Sequence, residues 1–489
     1  MTQDRKSPPT PRLSRRKLLE GAGLVYAAGT VGGLSLAAGA RAETAPRSKS
    51  HAGQADYDVI VVGGGFSGAT AARDCRKNGL RTLLLEARGR LGGRTFDTHF
   101  NGRHVEMGGS YVHWTQPAVW TEIVRYGLEE LEPAPGIASP EQMVAVVDGK
   151  RVEANAQELG EVPAAFPLYF ADSARLWPRP YDTDHAWGEI VRHDKMTAAE
   201  RVRKLELTPL QHAVLVATLE SMAHCPLARG TSYTDNLRWW ALCLNNFSTY
   251  AEALATYTLK AGTGELVRRI AADGAVEVRL SAPVQRIEQR EDVVIVTPRD
   301  RRPISAKAVI LTVPPKVLQH MEFHPTLAAV KLEASRRGFS PSGFKYFTEV
   351  KGRVGNVQWY APARYRAGIV WTYQTLPNST LLTGYAPEAG SFDPNDEDST
   401  QRVLRQFDPG LEVIATTSYS WDDDPFSLGT YSGPVPGGYS KYFHGLAQRE
   451  GRIYMGGSDI GDATWRGFID GAIGRGMKMA HEVSLELLG

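Results

Sequence analysis

An α/β fold is predicted, with a parallel-sheet domain interrupted by a second, α+β domain, and three observations predict it. The first is Asp58-Val59-Ile60-Val61-Val62 running straight into Gly63-Gly64-Gly65-Phe66-Ser67-Gly68: an apolar strand, a glycine turn and a helix start. The second is another apolar strand, Thr82 to Leu85, which ends at the acid Glu86 about 20 residues further on. The third is length: 489 residues are too many for one core, and strand-like and helix-like stretches succeed one another along the chain.

The glycine turn has a definite chemistry. Gly63 makes the tight turn, Gly65 removes the side chain that would block a pyrophosphate, and Gly68 lets the helix pack closely on its strand. Ser67 falls in the first turn of that helix, whose unpaired N–H groups and positive dipole end face the phosphates. Glu86 stands where an acid holds ribose hydroxyls. Residues 87–95, from Ala87-Arg88 through Gly93-Arg94-Thr95, offer backbone N–H groups and the Arg94 cation to more of the diphosphate. Residues 105–114, which include Gly108-Gly109-Ser110-Tyr111, resemble a flavin-contacting segment of the flavin monoamine oxidases, in which Gly108 and Gly109 would let backbone lie against the ring.

These runs, in this order, resemble the signatures of the flavin monoamine oxidase family, and the resemblance is nearest to its bacterial members that act in nicotine breakdown. It implies FAD rather than a nicotinamide, in a discontinuous Rossmann-like FAD-binding domain interleaved with an α+β substrate-binding domain. The expected boundaries are 56–130, 257–318 and 425–489 for the FAD-binding parts, 131–256 for a helical substrate part and 319–424 for a sheet substrate part. Leu205, Leu210, Val214, Leu215 and Leu219 carry the helical spacing, with Pro209 near a helix start. Val309-Ile310-Leu311-Thr312-Val313-Pro314-Pro315 reads as a buried strand with a proline stop. Phe344, Tyr346, Phe347, Ile369, Trp371 and Tyr373 are strand-prone.

The resemblance also implies roles for single residues. Val284 is where the family's backbone pairs with adenine, and Ser458, Asp459 and Ile469 fall in the closing flavin signature, whose last helix is expected from Ile473 onward. Tyr431 and Phe468 map to the two rings that stand before the flavin, and Lys345 to the lysine that holds a water near its reactive nitrogen. Alternation along a strand puts Lys345 on the face opposite Phe344 and Tyr346. Thr430 replaces the cysteine of covalently flavinylated relatives, so the FAD is expected to be non-covalent.

Tyr111, Trp371, Tyr373, Trp114, Trp239 and Trp240 favour an aryl amine, with Tyr111 and Trp371 as substrate-binding residues. The expected reaction takes a hydride from the carbon beside the nitrogen of a secondary amine. Pseudooxynicotine is the first candidate, and nicotine the second. A polyamine oxidase would need carboxylates for the far cation, and Asp422-Asp423-Asp424 is expected to be solvated instead. An amino-acid oxidase would need an arginine, for which Arg238 and Arg466 are the candidates. A flavin desaturase would need a membrane-facing apolar segment, and a non-catalytic flavin-binding protein would need neither Lys345 nor the aromatic pair.

The chain has 56 basic and 54 acidic residues, so no net field recommends nucleic acid or an anionic membrane. Cys75, Cys225 and Cys243 have neither metal-ligand spacing nor an even count. Ser14-Arg15-Arg16-Lys17-Leu18-Leu19, an apolar Gly/Ala-rich run to Ala40 and the small-residue site Ala40-Arg41-Ala42 read as a twin-arginine export signal over 1–42, with 43–55 a polar linker. Glu20 departs from the usual basic residue of such signals. The expected location is the periplasm, or the cytoplasm if the signal is inefficient, without a stable membrane anchor. The expected electron acceptor is oxygen or a periplasmic cytochrome or quinone, and the expected assembly a homodimer.

Overall fold

Two sheets and the helices between them position the site. The structure, a computed structural model, describes residues 55–339, 341–430, 433–461 and 465–489. The expected export signal, nearly all of the linker and Tyr431 lie outside the described residues.

Among the described residues the first sheet has eight strands and the second seven. The path of the first runs Glu322–His324, Val284–Gln289, Val294–Pro298, Ile304–Leu311, Tyr57–Val62, Thr82–Leu85, Glu277–Arg279, and Ile453–Met455 pairs with the far half of Ile304–Leu311. Tyr57–Val62 is parallel to both its neighbours. These central strands are almost wholly buried, as expected of a parallel sheet covered on both faces. Helices Phe66–Lys77 and Ile469–Leu488 lie against each other on it. The closing helix thus begins four residues before the expected Ile473, with Phe468 in extended backbone ending the preceding loop.

The second sheet has seven strands, in the order Val413–Ser418, Phe344–Lys351, Ser379–Ala386, Gly368–Thr375, Val357–Ala361, Gln142–Val147, Lys150–Glu153. The last two correct the expectation of a helical part over 131–256. Gln142-Met143-Val144-Ala145-Val146-Val147 is a β-prone run, and Asp148-Gly149 turns it back with φ of 48° and 75°. Helices follow from Ala156 onward, including Pro209–Ala223, whose Thr208 and Gln211 form a reciprocal cap. Leu318, Leu327 and Ala334 belong to the apolar cluster of the first sheet, so the chain remains there well past residue 318 before it enters the second.

Candidate active site

A cavity of about 600 Å³ opens at the strand ends of the first sheet and runs to the second, within the size range of small-molecule sites. At its nucleotide end Gly63 has φ +104°, a conformation that L side chains rarely adopt. A Cβ on Gly68 would stand 1.8 Å from the Gly63 carbonyl, so the close strand–helix approach requires glycine there. Gly65 faces Gly93, and a Cβ at Gly65 would find its nearest neighbour, Gly93 Cα, 3.8 Å away. That open cradle sits at the helix N-terminus, where anions are held.

Glu86 is buried, and its carboxylate accepts the Gly64 N–H at 2.5 Å and the Arg88 N–H at 2.8 Å. Arg88 forks onto Asp424 at 3.1 and 2.8 Å and reaches Ser427 at 2.7 Å. Asp424 is therefore a buried structural partner, which corrects the expectation that the whole aspartate run is solvated. Asp424 turns inward because a bidentate guanidinium and the Tyr419 hydroxyl, 2.6 Å away, compensate the loss of water, while Asp423 stays exposed. Arg94 ties three segments together by donating to Asp459, to Ser458 Oγ at 3.0 Å and to the Thr430 carbonyl at 3.1 Å. Ala87, Gly93, Gly108, Gly109, Ser110, Val284, Ser458 and Ile469 line the cavity with Ser67, whereas Asp459 and Gly68 act from behind it. The Thr430 hydroxyl is buried with no hydrogen-bond partner among the described residues.

At the far end Lys345 is buried, with Nζ donating to Ser110 Oγ at 2.9 Å and to the Gly108 carbonyl at 3.4 Å. Its ammonium position is 5.1 Å from the Phe347 ring centroid and 5.6 Å from those of Tyr111 and Tyr385. Burial drives its pKa down to about 7, against the pull of nearby Glu106. Phe344 and Tyr346 pack on the other face, in the cluster with Trp359 and Val370. Phe468 lines the cavity with the edges of Trp239 and Trp465 against it, at 5.4 and 5.3 Å.

The expectation for Trp371 needs correction. It does not line the cavity but stacks behind Tyr385, with centroids 5.2 Å apart and planes 6° apart. Tyr385, which pairs across the sheet with Lys345, takes the wall position, as do Met222, His224 and Leu254. No motif marks these four, because they come together only through the strand register, the end of helix Pro209–Ala223 and helix Phe247–Ala255. Trp240 packs on Phe170 away from the cavity, and Trp114 is 48% exposed. Neither arginine candidate reaches the site: Arg238 donates to the Pro180 carbonyl, and Arg466 is buried in an ion pair with Asp235. Among the described residues, the wall contributed by the substrate-side helices and the second sheet carries no carboxylate and no guanidinium.

A glycine cradle for a dinucleotide, continuing into an aromatic chamber with one buried lysine, defines a flavin-dependent amine-oxidising site. The chain belongs to the flavin containing amine oxidoreductases, whose family model matches residues 66–484. It is 39% identical over 485 residues to a pseudooxynicotine dehydrogenase of Pseudomonas sp, covering 98% of this chain and 97% of that protein. It is 34% identical over 479 residues to a nicotine dehydrogenase of Pseudomonas putida, covering 96% of this chain and 97% of that protein. The fold matches putrescine oxidase bound to putrescine, with a TM-score of 0.74 and 20% identity over 87% of this chain and 98% of that one. It also matches cyclohexylamine oxidase from Brevibacterium oxydans, with a TM-score of 0.72 and 19% identity over 89% of this chain and all of that one.

The protein is an FAD-dependent amine oxidoreductase, and its residues fit that cofactor: the Gly65–Gly93 cradle, the buried Glu86 and the unpartnered Thr430 hydroxyl all face the space it needs. Thr430 has no sulfur to form a thioether. Acid precipitation is expected to release all the flavin into the supernatant, whereas colour retained in the pellet would reveal a covalent link through some other residue.

Proposed function

We propose that this enzyme oxidises a secondary amine joined through a short chain to an aryl ring, and that pseudooxynicotine is its substrate. The observation that carries this reading is the 39% identity, end to end, with a protein named for that compound. The cavity wall supports it. Tyr111, Tyr385, Trp239 and Phe468 offer aromatic faces, while a polyamine's second cation and an amino acid's carboxylate would find no opposite charge on the substrate side among the described residues.

Bound FAD supplies the hydride acceptor, so that the substrate carbon beside nitrogen is oxidised to an iminium, which water hydrolyses to an aldehyde and methylamine. The chain's own task is to orient the amine between rings, exclude bulk water and keep the nitrogen uncharged. The buried wall does the second, and the absence of a carboxylate from it discourages an ammonium. Lys345 Nζ, held by Ser110 and Gly108, has its pKa lowered by burial, so it gives up a proton more readily than an exposed lysine. Turnover of pseudooxynicotine should yield one methylamine per aldehyde. Oxidation of nicotine without methylamine release would favour the second reading, to which the 34% identity with a nicotine dehydrogenase gives weight.

Arg15-Arg16 and the apolar run after it support export to the periplasm, with transfer of electrons to oxygen or to a periplasmic cytochrome or quinone and assembly as a homodimer as parts of the same reading. Cell fractionation of the full chain beside an Arg15→Lys, Arg16→Lys variant tests the address, and equal periplasmic recovery of both would refute it.

A further inference from the structure

Glu106 is 4% exposed and lies near Lys345 without forming an ion pair with it. Its Oε1 accepts the Gly108 N–H at 3.0 Å and the Phe96 N–H, and its Oε2 accepts the Thr263 hydroxyl. Gly108 in turn presents its carbonyl to Lys345 Nζ. The acid and the amine therefore grip the same residue from opposite sides. Only glycine fits at 108, because a Cβ there would stand 2.0 Å from the Arg94 carbonyl. We infer that Glu106 is a positioning residue for this site: it holds the Gly108 backbone whose carbonyl receives Lys345 Nζ.

The other groups around the pair leave Glu106 as the acid that bears on the lysine. Burial keeps Tyr111, Tyr385 and Tyr373 protonated and therefore uncharged, and it keeps His224 neutral, with a pKa pushed down to about 3. Arg90 and His104 also feel Glu106. Burial raises the Glu106 pKa, and Lys345 opposes that rise. In return, ionised Glu106 favours the protonated lysine, so loss of that charge makes Lys345 give up its proton at lower pH.

The inference rests on the amine-oxidising reading for its kinetics, and its test carries a second readout that does not. In Glu106→Gln, the neutral-range inflection in the pH profile of anaerobic flavin reduction is expected to move toward acid by about one unit or more. The inflection of the resting flavin band in a substrate-free titration should move with it. Both inflections should be missing in Lys345→Met, and adding Glu106→Gln to that variant should change neither profile. Thr263→Val removes one donor from Glu106 and should shift the inflection the same way by less, which keeps the test available if Glu106→Gln does not fold. A uniform rate loss at every pH with both inflections unmoved would make Glu106 merely structural and overturn the inference. If no amine reduces the flavin, the functional reading fails, while the substrate-free titration still decides the role of Glu106.

Discussion

Replacing Lys345 with methionine is expected to leave the FAD bound and to slow flavin reduction or reoxidation by about 100-fold or more, the scale of loss when a positioned proton-handling group is removed. Methionine matches the length of the lysine stem and suits the aromatic surroundings of Phe347, Tyr111 and Tyr385, so the core should tolerate it. What it removes is the donor to Ser110 and Gly108 and the amine that changes charge near neutrality. Stopped-flow measurement of both half-reactions checks this, and wild-type rates in both would reduce Lys345 to a structural role.

Gly65→Leu should give a folded, colourless protein, with FAD affinity lowered by more than about 100-fold, or roughly 3 kcal/mol. Gly65 has φ of −72° and ψ of −179°, which any residue adopts, and its Cβ position is uncrowded. The backbone therefore accepts leucine, and the longer side chain fills the cradle instead. Gly68→Ala behaves differently, because its Cβ would overlap the Gly63 carbonyl and the damage falls on the fold. Circular dichroism with flavin absorbance separates the two outcomes. A yellow Gly65→Leu protein would show that the cradle is not where the diphosphate lies.

Legibility in the sequence followed the range of the interactions. The glycine turn and Glu86 are readable because a strand, a tight turn, a helix and a second strand fix their residue types and spacing within one short unit, and Arg94 because it follows in the glycine run directly after. Lys345 is readable only through the family resemblance, and strand alternation adds the face it points to, opposite Phe344 and Tyr346. The hairpin Gln142–Glu153 was legible too, in its β-branched run and Asp148-Gly149 turn, but the helical spacing further along obscured it. Tyr385 and His224 carry no local signal. One reaches the cavity by cross-strand register with Lys345, and the other because helix Pro209–Ala223 ends there with His224 in the left-handed conformation at φ 48°. Trp371 has the right strand and the wrong layer, one stack behind Tyr385. Asp424 reads as surface because its partner Arg88 lies 336 residues earlier.

The most direct measurement is anaerobic bleaching of the purified protein's flavin band by pseudooxynicotine, nicotine, a polyamine and a neutral amino acid in parallel. Rapid bleaching by pseudooxynicotine, with the polyamine and the amino acid inert, is the predicted result. Bleaching by dithionite alone would leave the flavin fold standing and contradict the assignment of Lys345, Phe468 and the aromatic chamber to amine oxidation.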